Sequence, residues 1–80
     1  MATEDESYCE FMQQMAHASM LARQSGVPLQ SMLSLVKDET AGRIVEAAYE
    51  YPVHSEQNKK QSLVKQFSQA VRSQCLQQYK

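Results

Sequence analysis

The residues with chemistry to offer are two cysteines, Cys9 and Cys75, two histidines, His17 and His54, and the carboxylate pairs Asp38-Glu39 and Glu46-Glu50. A zinc site needs ligands grouped at short spacings, so that one helix face or one loop presents two of them together. No such pair occurs here, and His17 falls opposite the apolar stripe of its helix, two turns on from Cys9 and pointing away from it. A reactive thiolate needs a positive neighbour or a second cysteine in a CxxC pattern, and local spacing supplies neither. The carboxylates stand where helix caps and solvated faces are expected, and Gly26 and Gly42 are isolated rather than part of a phosphate loop. The chain is also short for a bundle that encloses a substrate cleft. Neither catalysis nor a metal or cofactor is expected.

Cys9 lies early in the first helical pattern and Cys75 late in the last, each on the flank of an apolar stripe. If those helices are antiparallel neighbours, the thiols meet at one end of the fold. Two readings stand. A bridge across the separation of 66 residues would add about 4 kcal/mol by the chain-entropy model. Alternatively both are buried, reduced and inert, the usual state in a reducing cytosol.

The elements that position these residues are helices. From Tyr8 to Gly26, Tyr8, Phe11, Met12, Met15, Ala18, Ser19 and Ala22 share one face at about 100° per residue, opposite Glu10, Gln13, Gln14, His17 and Gln24. Thr3 and Glu6 have the spacing of a capping box, after a loose lead-in over residues 1–3. Gly26 can take the left-handed conformation that closes a helix, and Pro28 opens the next. That second helix is predicted over Leu29–Lys37, with Leu29, Met32, Leu33 and Val36 inward and Leu35 outward. Asp38 is the expected cap of a third helix, Glu39 to Glu50, with Ala41, Ile44, Val45 and Ala48 on one face. Pro52 stops it. An extended link leads to Ser55, the expected cap of a long last helix reaching about Gln78, with a stripe of Leu63, Val64, Phe67, Ala70, Val71 and Cys75. Strand-like alternation is absent. The pattern predicts an all-α, single-domain bundle over residues 1–80, with about four helices, the first and last long and the middle two short.

A domain of 80 residues buries a modest core, so help from a bridge or a second copy would suit it. The net charge of −1 gives no global attraction to nucleic acid or to an anionic membrane. No run approaches the roughly 20 apolar residues of a membrane span, and the N-terminus lacks the blocks of a signal peptide. Read from Met1, the chain is soluble and cytoplasmic; with a signal peptide removed it would be periplasmic or secreted.

Nucleic-acid binding is the second functional class to weigh. Two short helices joined by Lys37-Asp38-Glu39-Thr40 have about the lengths of a helix-turn-helix, but the would-be recognition helix offers Arg43 against Glu46 and Glu50. Phosphate contact falls more naturally to Lys59, Lys60, Lys65 and Arg72 of the basic last helix.

Protein contact is the first class. Met20 and Leu21 on the first helix, Leu35 on the second, and Leu76 and Tyr79 near the end do not fit the inner stripes. They are the candidate contact residues. Five methionines suit an adaptable binding face as well as an irregular core, and a homodimer would be the simplest use of such surface.

The segments Ala22-Arg23-Gln24-Ser25-Gly26-Val27-Pro28 and Ala48-Tyr49-Glu50-Tyr51-Pro52 carry a resemblance. The chain resembles a loose group of small uncharacterised bacterial and phage helical proteins, in which a cysteine opens a helix ending in ARQxG. In that group an AYExP segment follows, and a late aromatic and cysteine close the chain. The match covers residues 9–75, with Cys9, Phe67 and Cys75 in corresponding places. Many members carry an export signal, which implies a Cys9–Cys75 disulfide; this sequence departs by beginning MATEDESY. Occurrence in phages and mobile elements implies an inhibitor that binds a host protein. The expected function is a non-enzymatic protein-binding module whose partner is a second copy or a host factor, with a nucleic-acid-binding regulator as the alternative.

Overall fold

The computed structural model describes residues 4–78. Among them are four helices and no strand: α1 Glu4–Gln24, α2 Leu29–Leu33, α3 Glu39–Tyr49 and α4 Gln57–Gln77. The two 21-residue helices run antiparallel, with Cys9 beside Cys75 at one end, Gln13 beside Arg72 further along, and Gln24 beside Lys60 at the other end. α3 lies along α1 as well, and α2 packs on α3 and α1. The backbones of α3 and α4 stay apart, although Ala48 of α3 joins Val64 and Phe67 of α4 in the core, so α1 is the shared spine of the fold.

Burial on α1 follows Cys9, Met12, Ala16 and Met20, a spacing of three, four and four that keeps one narrow side inward. The stripe is therefore rotated from the expected one. Tyr8 and Phe11 are exposed, Phe11 by half, and Ala18 faces solvent. The buried face of α1 instead alternates large side chains, Met12 and Met20, with small ones. Ala16, Ser19 and Ser68 are all buried, and each serine hydroxyl is satisfied within its own helix, Ser19 Oγ donating to the Met15 carbonyl at 2.7 Å and Ser68 Oγ to Lys65 at 3.0 Å. Met20, expected on a contact surface, is instead fully buried in a cluster with Ala16, Ala48, Val64 and Phe67. It belongs to the core and contributes nothing to the exterior.

Helix ends follow local chemistry. Gly26 has φ +86°, and the bonds from Val27 N to Ala22 O (3.0 Å) and from Gly26 N to Arg23 O (3.2 Å) complete a Schellman closure of α1. α2 stops at Leu33, four residues short of expectation. Ser34 Oγ donates to Ser31 O at 2.8 Å, and the next bonds, Leu35 N to Met32 O and Val36 N to Leu33 O, span three residues instead of four. The serine competes for backbone carbonyls and the last turn tightens out of α geometry.

α3 begins where expected, with Asp38 accepting from Thr40 N at 3.4 Å. It buries Ala41, Val45 and Ala48. Asp38→Ala should lower stability by about 1 kcal/mol, read as a fall in the thermal midpoint of a few degrees; no change would show the cap to be idle. α4 starts after Ser55, not at it: Glu56 holds the cap position with extended backbone and makes no side-chain cap. The link before it is held straight by bonds from α1, described below, so the helix opens late. Val64, Phe67 and Ser68 are its buried residues, whereas Ala70, placed in the expected stripe, is exposed. The Thr3 capping box and the lead-in over residues 1–3 lie outside the described residues.

Candidate functional site

Because α3 and α4 both lean on α1 without closing on each other, a channel of about 700 Å3 runs between them. Its floor is Met12 and Phe67; Ile44 and Ala47 form one wall, and Ala70 and Val71 the other. Tyr8 stands at the α1 N-terminal part of the channel. Tyr51 closes part of it, edge-on to Phe67 with ring centroids 5.5 Å apart and planes at 71°. Thr40 and Arg43 are the polar lining residues of α3, and Glu50 follows Ala47 outside the lining. Arg43 is tied to Glu39 at 2.9 Å in an exposed pair, leaving Glu46 and Glu50 exposed and without a bonded partner among the described residues. The polar side chains that the α4 side contributes to the lining, Gln74 and Gln78, are uncharged.

A second depression, about 470 Å3, follows the seam between α1 and α4 on a different face of α4. His17 and Leu21 line it from α1; Gln61, Val64, Lys65 and Gln69 line it from α4. Lys60 stands at one end, its Nζ donating to the Gln24 carbonyl at 2.7 Å and so neutralising the C-terminal end of α1.

At one end of the α1 and α4 pair the cysteines form a disulfide, with S–S 2.10 Å and Cα atoms 5.5 Å apart. The bridge takes both thiols, and among the described residues no group of three or more His, Cys, Asp or Glu gathers into a metal-sized cluster. At the other end, the two segments that carried the resemblance clasp each other. Arg23 Nε donates to Tyr51 O at 2.9 Å while its guanidinium lies 5.4 Å from the Tyr49 ring centre. Tyr49 OH donates to Val27 O at 2.6 Å. Gln24, only 2% exposed, donates Nε2 to Pro52 O and accepts from His54 N through Oε1, both at 2.8 Å. Burial pushes the Tyr49 hydroxyl pKa up, against a smaller opposing pull from Arg23. These motifs hold the α3 to α4 link against the end of α1, a structural task.

The residues singled out from sequence do not converge on one patch. Leu21 is half exposed in the α1/α4 seam, Leu35 is 77% exposed in the turn after α2, Leu76 is half-buried beside the disulfide, and Met20 is core. Tyr79 lies outside the described residues. Of the basic set, Lys60 and Lys65 share the seam and Arg72 donates to Gln13 at 3.3 Å nearby, whereas Lys59 is exposed away from its lining. The α3/α4 channel uses Tyr8, Ile44, Tyr51 and Val71, which sequence reading assigned to the core or to no site. Comparison with family models, with curated proteins and with solved structures gives no match.

Proposed function

We propose that the chain is a protein-binding module without chemistry of its own, and that its contact surface is the channel between α3 and α4. The observation that carries this is the open channel itself, the larger of the two depressions described, where Ile44, Ala47, Tyr51, Ala70 and Val71 bring apolar side chains of two helices and the link between them to one surface. Its occupant is an amphipathic helix of a partner protein, with an apolar stripe for Ile44, Ala47, Ala70 and Val71 and lysines or arginines along the flank that meets α3. Glu46 and Glu50, exposed on α3 outside the channel lining, supply complementary charge to that flank. A host protein fits the inhibitor role implied by the resemblance. The Cys9–Cys75 bridge suits an oxidising compartment such as the periplasm or the cell exterior. No described helix is long and apolar enough to cross a membrane.

The nucleic-acid reading finds less support. α2 has five residues, short for the first helix of a helix-turn-helix, and Arg43 is already paired with Glu39.

Ala70→Glu places a charge in the channel at an exposed, helix-tolerant position, so the fold should keep its thermal midpoint while binding is lost. Capture from nuclease-treated lysate of the source or host cell, with wild type and this variant in parallel, is the measurement. The supporting result is one stoichiometric protein, lost with Ala70→Glu, whose contact segment is a basic-flanked amphipathic helix, together with sedimentation of the free chain as a monomer. A concentration-dependent dimer abolished by Ala70→Glu would give the channel to a second copy instead. Retention that vanishes with nuclease would give the function to nucleic acid.

A further inference from the structure

The α1/α4 seam collects one sign of charge in a chain that has more acids than bases. Nine aspartates and glutamates are present against eight lysines and arginines, yet no carboxylate lines this depression, while Lys60 and Lys65 do, beside the His17 imidazole. The antiparallel register fixed by Cys9 with Cys75 and Gln24 with Lys60 sets Lys65 within about a helical turn of His17 and Leu21. Leu21, half exposed, and Val64 make a small apolar platform beside these groups, and Gln61 and Gln69 offer amide donors and acceptors at its edge. The volume of about 470 Å3 lies in the range of small-molecule sites.

We propose that this seam binds a small organic phosphate, with the phosphate between His17 and Lys65 and the apolar body on Leu21 and Val64. Lysine holds phosphate as a point charge, without the planar fork that favours arginine at carboxylates. Lys60 adds to the local potential from its place at the Gln24 carbonyl, where one of its three protons is engaged. A single strand of nucleic acid is the less suitable occupant. Such strands are held by aromatic platforms on which bases stack, and no aromatic side chain lines the seam. Nor do the cations form a track through it: Lys59 and Arg72 are both outside the lining, Arg72 reaching it only through its bond to Gln13.

The test is an amide-shift titration of the isotopically labelled, disulfide-intact chain with phenyl phosphate, inorganic phosphate and a single-stranded oligonucleotide. Phenyl phosphate should give saturating shifts at His17, Leu21, Gln61, Lys65 and Gln69, and inorganic phosphate weaker ones at His17 and Lys65 alone. Lys65→Gln should weaken phenyl phosphate about tenfold, the loss of one charge-assisted contact, while Lys59→Gln leaves it unchanged. Absence of saturation by about 10 mM phenyl phosphate, a range where even weak specific sites fill, overturns the proposal. So does equal weakening by Lys59→Gln, which would mark diffuse attraction. Tighter binding of the oligonucleotide with a steep salt dependence would assign the seam to nucleic acid.

Discussion

Replacing both cysteines by serine, or reducing the bridge in the native sequence, should remove about 4 kcal/mol of stability, the entropy that a crosslink spanning 66 residues withholds from the unfolded chain. A domain of this length has on the order of 5 to 10 kcal/mol in total, so most of the margin goes. The thermal midpoint should fall by roughly 15 to 30 °C, and the variant should be partly unfolded near body temperature. The size follows from where the bridge sits. Cys9 lies in the second turn of α1 and Cys75 in the last turn of α4, so the crosslink encloses nearly the whole fold. The channel and the seam both depend on the α1 and α4 pairing that it fastens. Denaturant unfolding with and without a thiol reductant is the measurement. A midpoint that moves by less than about 1 kcal/mol would mean that the unfolded chain stays compact without the bridge, and that the entropic account fails here.

How far the sequence could be read depends on which physical signal each element carries. Helix termini are local, so Asp38 at α3, Gly26 at the end of α1 and Pro52 after α3 could be recognised from a few residues each. α2 was overestimated because nothing in its apolar spacing shows that Ser34 would turn its hydroxyl to the Ser31 carbonyl. The inner face of α1 was misplaced for a different reason. A hydrophobic pattern weights large apolar side chains, but the inner face also takes small and polar ones, Ala16, Ser19 and Gln24 lying buried beside Met12 and Met20. That rotation carried Met20 inward and Tyr8 and Phe11 outward, exchanging core for surface. The channel was illegible as a consequence, since it depends on how far apart α3 and α4 lie on α1, a tertiary choice that no stripe records. The cysteines were the reverse case: their chain positions allowed two states, and the antiparallel packing of α1 and α4 selects one.

The far end of that helix pair has no covalent fastening, and there Gln24→Leu should be the most damaging change that keeps side-chain volume. Gln24 is buried, and its amide serves two backbone groups of the extended link at once, the Pro52 carbonyl and the His54 N–H. Leucine fills the space and bonds neither. Each stranded backbone group costs about 1 to 3 kcal/mol, so the loss should be about 3 kcal/mol in all. The Lys60 bond to the Gln24 main-chain carbonyl survives the substitution, as does the disulfide at the opposite end, so the damage should be local. Amide exchange at His54 should quicken sharply, with fraying of the first turn of α4, while exchange near Cys75 keeps its protection. Tyr49→Phe offers a milder comparison, because it removes only the bond to the Val27 carbonyl, about 1 kcal/mol, and leaves the link to Gln24 intact. If Gln24→Leu lowers stability with no gain in His54 exchange, the glutamine acts by packing alone and does not hold the link. If exchange rises at His54 and at Cys75 alike, the clasp and the bridge belong to one cooperative unit, and neither end of the helix pair opens without the other.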